Sequence, residues 1–268
     1  MRTTRRGREA EGEVEGEGEG RRRRGGGRGE VMEMERGKGR GKAAALARKG
    51  MGGGVEAARG KGMGGGCPYE KNLIKLLGEL HFKTPPTGFG LGSSGQGYDP
   101  AYGLSLCRGD VPTKDCGACV VEASDEIIKR CPNNRGAIIW YDNCLLKYSD
   151  IDFFGKIDAQ NRFYMWNLQN VSIDPEVFNQ RTRGLLSELS EHASKTSKLY
   201  AKGEVEVAGY QKIYGMAQCT RDLSGADCKK CLDDAVNELP RCCGGKQGGR
   251  VVGGSCNIRY EIYPFLNL

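Results

Sequence analysis

The chain reads as an α+β protein: two tandem, disulfide-stapled domains behind a disordered N-terminal tail. Three observations predict this. All 12 cysteines of the 268 residues lie at or after Cys67, which is unusual usage beside only two histidines. A fixed offset of 112 residues superposes Cys107, Cys116, Cys119, Cys131 and Cys144 on Cys219, Cys228, Cys231, Cys243 and Cys256 without a gap. The same offset carries Tyr102-Gly103 onto Tyr214-Gly215, Tyr148 onto Tyr260 and Phe153 onto Phe265, so the chain is a tandem repeat of two units. Lastly, residues 1–66 are low-complexity, with 21 of the 43 glycines and no aromatic residue. Such a segment buries too little apolar surface to offset its ordering entropy. The reading is a tail over 1–66, a first domain over 67–155 and a second over 162–268.

Charge follows the same division. Residues 1–66 carry 17 Lys+Arg against 10 Asp+Glu, while 67–268 carry 24 of each, so the whole net charge of +7 belongs to the tail. The folded part is electroneutral and gives no sign of a nucleic-acid partner. An RGG-like nucleic-acid-binding tail is the functional alternative to a solvated extension. No apolar run of signal-peptide length stands in the tail, where "AAALA" at 43–47 is too short, and no membrane-spanning stretch occurs.

Each unit opens with a helix. In the first, "PYEKNLIKLLGEL" places Leu73, Leu76, Leu77 and Leu80 at helical spacing. In the second, "DPEVFNQRTRGLLSELSEHASK" starts with Asp174 as N-cap and Pro175 at N1. A Gly/Ser/Pro-rich stretch, "TPPTGFGLGSSGQG", reads as a loop in the first unit. A short strand follows around "YGLSLC" or "YGMAQC", then the cysteine loop. A second helix begins at C-x2-C, and two strands close each unit: "AIIWY" and "CLLKYS", then "GRVVGG" and "CNIRYEIYPF". Helices mixed with hairpin strands imply an antiparallel sheet.

The C-x8-C-x2-C stretches "CRGDVPTKDCGAC" and "CTRDLSGADCKKC" raise three chemistries. Structural zinc wants two short-spaced Cys/His pairs, and each unit has a single C-x2-C with no nearby His. A thioredoxin-type site needs a parallel βαβ setting, which the pattern lacks. Small, cysteine-dense, loop-rich units in an oxidising compartment fit disulfide staples. No metal and no cofactor is expected.

The segments "LCRGD", "DCGAC" and "AIIWYDNCLLKYSD", with "NRFYMWN", "CTRDL", "DCKKC" and "NIRYEIYPF", closely resemble the plant cysteine-rich repeat secretory proteins, which carry two stress-antifungal (ginkbilobin-homologous) domains. The resemblance covers residues 68–268. It implies a five-stranded antiparallel sheet with two helices per domain, secretion to the apoplast, and a defence or stress role. It implies the pairs Cys107–Cys116, Cys119–Cys144, Cys219–Cys228 and Cys231–Cys256. A third family bridge ties an N-terminal cysteine to the positions of Cys131 and Cys243. Here the sequence departs from the family: "GVEAARGKG" and "YMWNLQN" stand where those leading cysteines belong. Cys131 is left to pair with Cys67 or stay free, and Cys243 has its neighbour Cys242 available.

Mannose-binding domains of this type use an Asn beside the leading cysteine, an Arg seven residues after the fifth and a Glu five after the sixth. In the second unit these positions fall on Asn167, with a one-residue gap, and on Arg250 and Glu261. The first unit has Ile138 and Ser149 at the Arg and Glu positions. An Arg donor and Glu acceptor can grip adjacent sugar hydroxyls, whereas an Arg250–Glu261 cross-strand ion pair binds nothing. Asn170-Val171-Ser172 is an N-glycosylation sequon, usable in a secreted chain. The Arg108-Gly109-Asp110 tripeptide abuts Cys107 and reads as loop polarity.

No Ser/His/Asp set, paired acids or phosphate loop stands out, so no catalysis is expected. Two functions remain. One is a secreted defence lectin, with a mannose-type glycan or cell-wall carbohydrate as ligand in the second unit. The other is a non-catalytic apoplastic module that docks another protein, such as a plant surface receptor. Both are extracellular.

Overall fold

The computed structural model describes residues 68–95, 97, 99–207 and 211–267, together with the backbone of 30–34 and 44–48. In chain order the elements are β1 (Glu30–Met34), β2 (Ala44–Arg48), α1 (Pro68–Lys83), β3 (Phe89–Ser94), β4 (Ala101–Cys107), α2 (Thr113–Arg130), β5 (Gly136–Trp140) and β6 (Cys144–Ser149). The second domain supplies β7 (Arg162–Asn167), α3 (Pro175–Lys195), β8 (Tyr200–Glu206), β9 (Lys212–Cys219), α4 (Gly225–Cys242), β10 (Gly248–Gly253) and β11 (Cys256–Glu261).

The strands form two sheets, ordered β2-β5-β6-β4-β3 and β1-β7-β10-β11-β9-β8. Every pairing is antiparallel except that of β1 with β7. The second domain thus has five antiparallel strands of its own, and the first has four between Phe89 and Ser149. β2 lies against β5 as β7 lies against β10. Of the segment expected to be disordered, the described residues are these two edge strands; the rest of 1–66 lies outside the described residues.

Helix ends follow their capping chemistry. The Asp174 side chain accepts from the Glu176 N–H at 2.8 Å, with Pro175 at N1. Ser224 Oγ accepts from the Asp227 N–H, which starts α4 three residues before Cys228 rather than at the C-x2-C motif. α2 likewise starts at Thr113 rather than at Cys116.

One expectation is corrected. The stretch read as a loop contains β3, an edge strand paired with β4 over six residues. It looked like a loop because the helix lies so close that side chains are excluded. A Cβ at Gly90 would collide with Thr84 Oγ1, and one at Gly103 of β4 would lie 2.9 Å from Leu76 Cδ2. The same device recurs at Gly215, where a Cβ would lie 3.0 Å from Leu185 Cδ2. Glycine here serves packing, not turning.

Side-chain alternation divides the sheets into an inner and an outer face. On the helical side, Ile139 and Leu146 join Leu73, Leu76 and Leu80 in one core; Val251, Ile258 and Tyr260 join Phe178, Leu186 and Leu232 in the other. On the opposite faces, Leu104, Ile138, Trp140 and Leu145 meet Phe163 and Val252 in a third cluster. The two sheets therefore cover each other's non-helical faces, and α1 to α4 lie outermost.

The predicted binding residues and the interface that covers them

Two-residue periodicity decides where the sugar-binding candidates go. Val251 and Val252 point to opposite faces of β10, so Arg250 shares the face of Val252 and looks at the first domain. Ile258 and Tyr260 enter the helical core, which turns Arg259 and Glu261 the same way. Arg250 is 7% exposed, Arg259 8% and Glu261 1%.

Their charges are satisfied across the docked faces. Arg250 Nη1 donates to Asp142 Oδ1 of the first domain at 2.7 Å, while Arg259 Nε donates to Glu261 Oε1 at 3.1 Å. Arg259 Nη1 also lies 4.0 Å from Asp142 Oδ1. Arg250 and Glu261 therefore form no pair with each other. Asn167 sits half-buried at the end of β7, its side-chain oxygen accepting from the Gln169 N–H. The three candidates converge on no common open site in the docked chain. Arg250 Nε and Asn257 Oδ1 are buried without partners among the described residues, and both residues line an interdomain cavity of about 20 Å³. That volume holds one water molecule and no hexose.

Further bonds join the domains. Trp140 Nε1 donates to the Gly253 carbonyl at 3.0 Å, and the Trp140 ring stands edge-on to Phe163 with centroids 5.1 Å apart. Gln218 Nε2 donates to the Cys107 carbonyl at 2.9 Å, and Lys147 Nζ of the first domain to Asp158 Oδ2 of the connecting segment at 2.8 Å. The Arg-Gly-Asp tripeptide is turned inward. Arg108 forks onto Asp110 (2.5 and 3.0 Å), and Asp110 Oδ2 accepts from the Asn267 N–H.

Burial alone would raise the carboxyl pKa of Asp110, Asp142 and Asp158, but Arg108, the Arg250/Arg259 pair and Lys147 hold all three below the ordinary aspartate value. Burial pushes Glu261 the other way, against the pull of Arg259. The signs follow by linkage. The depressed aspartates contribute stability that is fully present above the unfolded value of about 3.9 and is lost as pH falls through their lower folded values. Glu261 contributes most in acid and loses that contribution as pH rises through its raised value. Docking is therefore expected to fail steeply below about pH 3.9. Substituting Glu261→Gln should flatten the decline from mild acid toward neutrality. A melting temperature that stays level between pH 5 and pH 2.5 would contradict this.

Among the described residues five disulfides are present: Cys107–Cys116, Cys119–Cys144, Cys219–Cys228, Cys231–Cys256 and the vicinal Cys242–Cys243. Adjacent cysteines close an eight-membered ring, and Cys242 is only half-buried whereas the other nine bonded cysteines of the described domains are buried. Graded reduction with mass mapping should open Cys242–Cys243 first; earlier loss of Cys219–Cys228 would contradict that order. Cys131 is buried and, among the described residues, unpaired. Its expected partner Cys67 lies outside the described residues, one position before α1. The start of α1 abuts the turn after Cys131, for Tyr69 Oη donates to the Arg135 carbonyl at 2.7 Å. A Cys67–Cys131 cross-linked peptide is the expected product of non-reducing digestion; alkylation of both thiols in the native protein would rule it out. Asn170 is exposed, as glycosylation requires.

Among the described residues no cluster could hold a metal ion, and no helix is long and apolar enough to cross a membrane. A family model described as "Salt stress response/antifungal" matches residues 59–151 and again 167–263. An "Antimicrobial ginkbilobin-2-like protein" of Castanea crenata is 60% identical over 199 residues, 74% of this chain and 82% of that protein. "Cysteine-rich repeat secretory protein 38" of Arabidopsis thaliana is 54% identical over 200 residues, 74% of this chain and 79% of that one. Among solved structures, the tandem DUF26 ectodomain of the Arabidopsis thaliana cysteine-rich receptor-like protein PDLP8 aligns with a TM-score of 0.67 at 26% identity. That alignment covers 83% of this chain and 98% of the ectodomain.

Proposed function

Because the chain belongs to the salt stress response/antifungal family, we propose that it is a secreted, non-catalytic binding protein of plant defence or stress, whose two domains dock and offer their helical layers to a protein partner. The observation that carries this reading is the mutual cover of the two sheets. It places Arg250 and Glu261 beneath the first domain and leaves the helices as the broad free surfaces. The ginkbilobin-like and secretory relatives support the setting, and the receptor-like ectodomains support use of this architecture outside the cell. The five disulfides suit the same compartment.

The mannose-type reading is second and depends on parting the domains. Only then do the unpartnered Arg250 Nε and Asn257 Oδ1 meet anything larger than water. The two readings separate on a glycan array probed with the intact chain. Background signal on mannose-type and cell-wall glycans, with the protein recovered from apoplastic fluid, is the expected result. Retention on mannan that free mannose competes away would overturn the first reading in favour of the second.

A further inference from the structure

The two helical layers share one plan, so each helical position in one domain has a counterpart in the other. Leu76 packs over Gly103 and Leu185 over Gly215, which matches α1 to α3 at an offset of 109 (185 less 76). The cysteines match α2 to α4 at 112 (228 less 116). The comparison separates what the fold requires from what one domain adds.

Between α3 and the C-terminal end of α4 lies a groove of about 650 Å³, within the range of sites that take small ligands. The buried Leu239, Cys243 and Tyr260 ring line its base, and Pro240 one wall. At the matching places along α1 the first domain carries Leu73, Ile74 and Lys75; α3 carries Thr182, Arg183 and Gly184. One apolar side chain is thus shortened, one replaced by a cation and one long chain removed. A Cβ at Gly184 would meet nothing within 4 Å, so no packing calls for a glycine inside this helix. Both domains bury equivalent cores, so the polar lining of the groove is no demand of folding.

That lining is ordered by charge. Glu176 and Arg183 stand two helical turns apart on α3, about 10 Å along one stripe. Asn179 and Gln180 lie between them, and Ser187 follows one turn beyond Arg183. The side chains of Glu176, Gln180, Arg183 and Ser187 close no hydrogen bond or ion pair among the described residues. Asn179 is held in place: its Oδ1 accepts from the Gly245 N–H at 2.9 Å, which leaves its NH2 group to donate. The same bond sets the end of α4 beside the start of α3, so the negative end of the α4 dipole adds to Glu176. The groove has an anionic end, an amide-lined middle and a cationic end.

We propose that the α3–α4 groove of the second domain binds a short free peptide of about three residues, its α-amine at Glu176 and its α-carboxylate at Arg183. Three extended residues span about 10 Å, the separation of the two charges. The amides of Asn179 and Gln180 offer donors and acceptors to the backbone between the two ends, and Leu239 and Pro240 offer an apolar wall to the central side chain. Other ligand classes match less of the lining. A neutral sugar brings no charge to either end, an anion meets Glu176, and a cation meets Arg183. The proposal rests on the binding-module reading and deepens it by naming what one helical layer takes.

Titration of the tripeptide Ala-Leu-Ala into the intact chain, followed by NMR at the Gly184 and Gly244 amides, tests it. Saturable shifts below about 1 mM are the expected result. Amidating the peptide's carboxylate, or acetylating its amine, should each weaken binding about tenfold, the usual worth of a charge-assisted hydrogen bond. The decisive arm uses Arg183→Ile, the residue the first domain holds at the matching place. In that variant the free and amidated peptides should bind alike, while acetylation still weakens binding through Glu176. Glu176→Gln should show the reverse pattern. A misfolded variant would lose both dependences together. No saturable shift by about 10 mM, equal affinity of the wild type for free and amidated peptide, or equal shifts from mannose at the same amides would each overturn the proposal. A protein partner held as tightly after Gly184→Trp fills the groove would retain the binding-module reading and discard this one.

Discussion

Trp140→Ala is expected to part the two domains. Trp140 is 5% exposed at the centre of the facing sheets, packed with Leu104, Ile138, Leu145, Phe163 and Val252. Truncating a buried Trp costs about 3–5 kcal/mol, combining lost transfer energy with the cavity left behind. The Gly253 carbonyl also loses its donor. Interdomain contacts are the weaker class of packing within a chain, so this loss should fall on docking before either helical core. Small-angle scattering should then show a larger radius of gyration, with far-ultraviolet circular dichroism unchanged. Trp140→Phe keeps most of the apolar contact and removes only the hydrogen bond, so it should cost about 1 kcal/mol and stay docked. Separation by Trp140→Ala would also uncover Arg250, Glu261 and Asn257. Glycan binding gained by that variant alone would mean that docking masks a lectin site. If both substitutions left the shape unchanged, Trp140 would not be the anchor.

The repeat, the helices and the closing strands were legible because their signals are local: cysteine spacing, helical leucines, an Asp-Pro cap. The edge strand β3 was not, because its glycines answer to Leu76 and Leu80 of a helix packed above it and to Thr84 just beyond that helix. The interface was missed although the sequence carried a trace of it. "AIIWY" and "CLLKY" are nearly continuous apolar runs, the pattern of strands buried on both faces, not the alternation of a sheet open to water on one side. Read that way, the non-helical face needed a cover, and the second domain was the surface to hand. Arg250 and Glu261 show where spacing stops. Their spacing from cysteines fixes their strand positions, but nothing local reveals that Asp142, 108 residues away, faces Arg250.

Removing one long staple is the second large expected effect, and it should exceed the loss of a short one. Cys119–Cys144 and Cys231–Cys256 each span 25 residues, whereas Cys107–Cys116 and Cys219–Cys228 each span 9. Constraint of the unfolded chain grows with the logarithm of loop length, giving about 3.5 kcal/mol for the long bridges and about 2.6 for the short ones. The long bridges also have a structural role: they pin α2 to β6 and α4 to β11, so each ties the second helix of its domain to a central strand. Cys119→Ala/Cys144→Ala should lower the unfolding transition of the first domain. Cys231→Ala/Cys256→Ala should do the same to the second, leaving the first domain's core contacts in place. The two effects should match within about 1 kcal/mol, since loop lengths and attachment points repeat. Calorimetry of the paired variants, with Cys107→Ala/Cys116→Ala beside them, reads the order directly. If the short bridge proved the costlier, stabilisation would have to come from the geometry of the helix entry it closes and not from the chain it constrains.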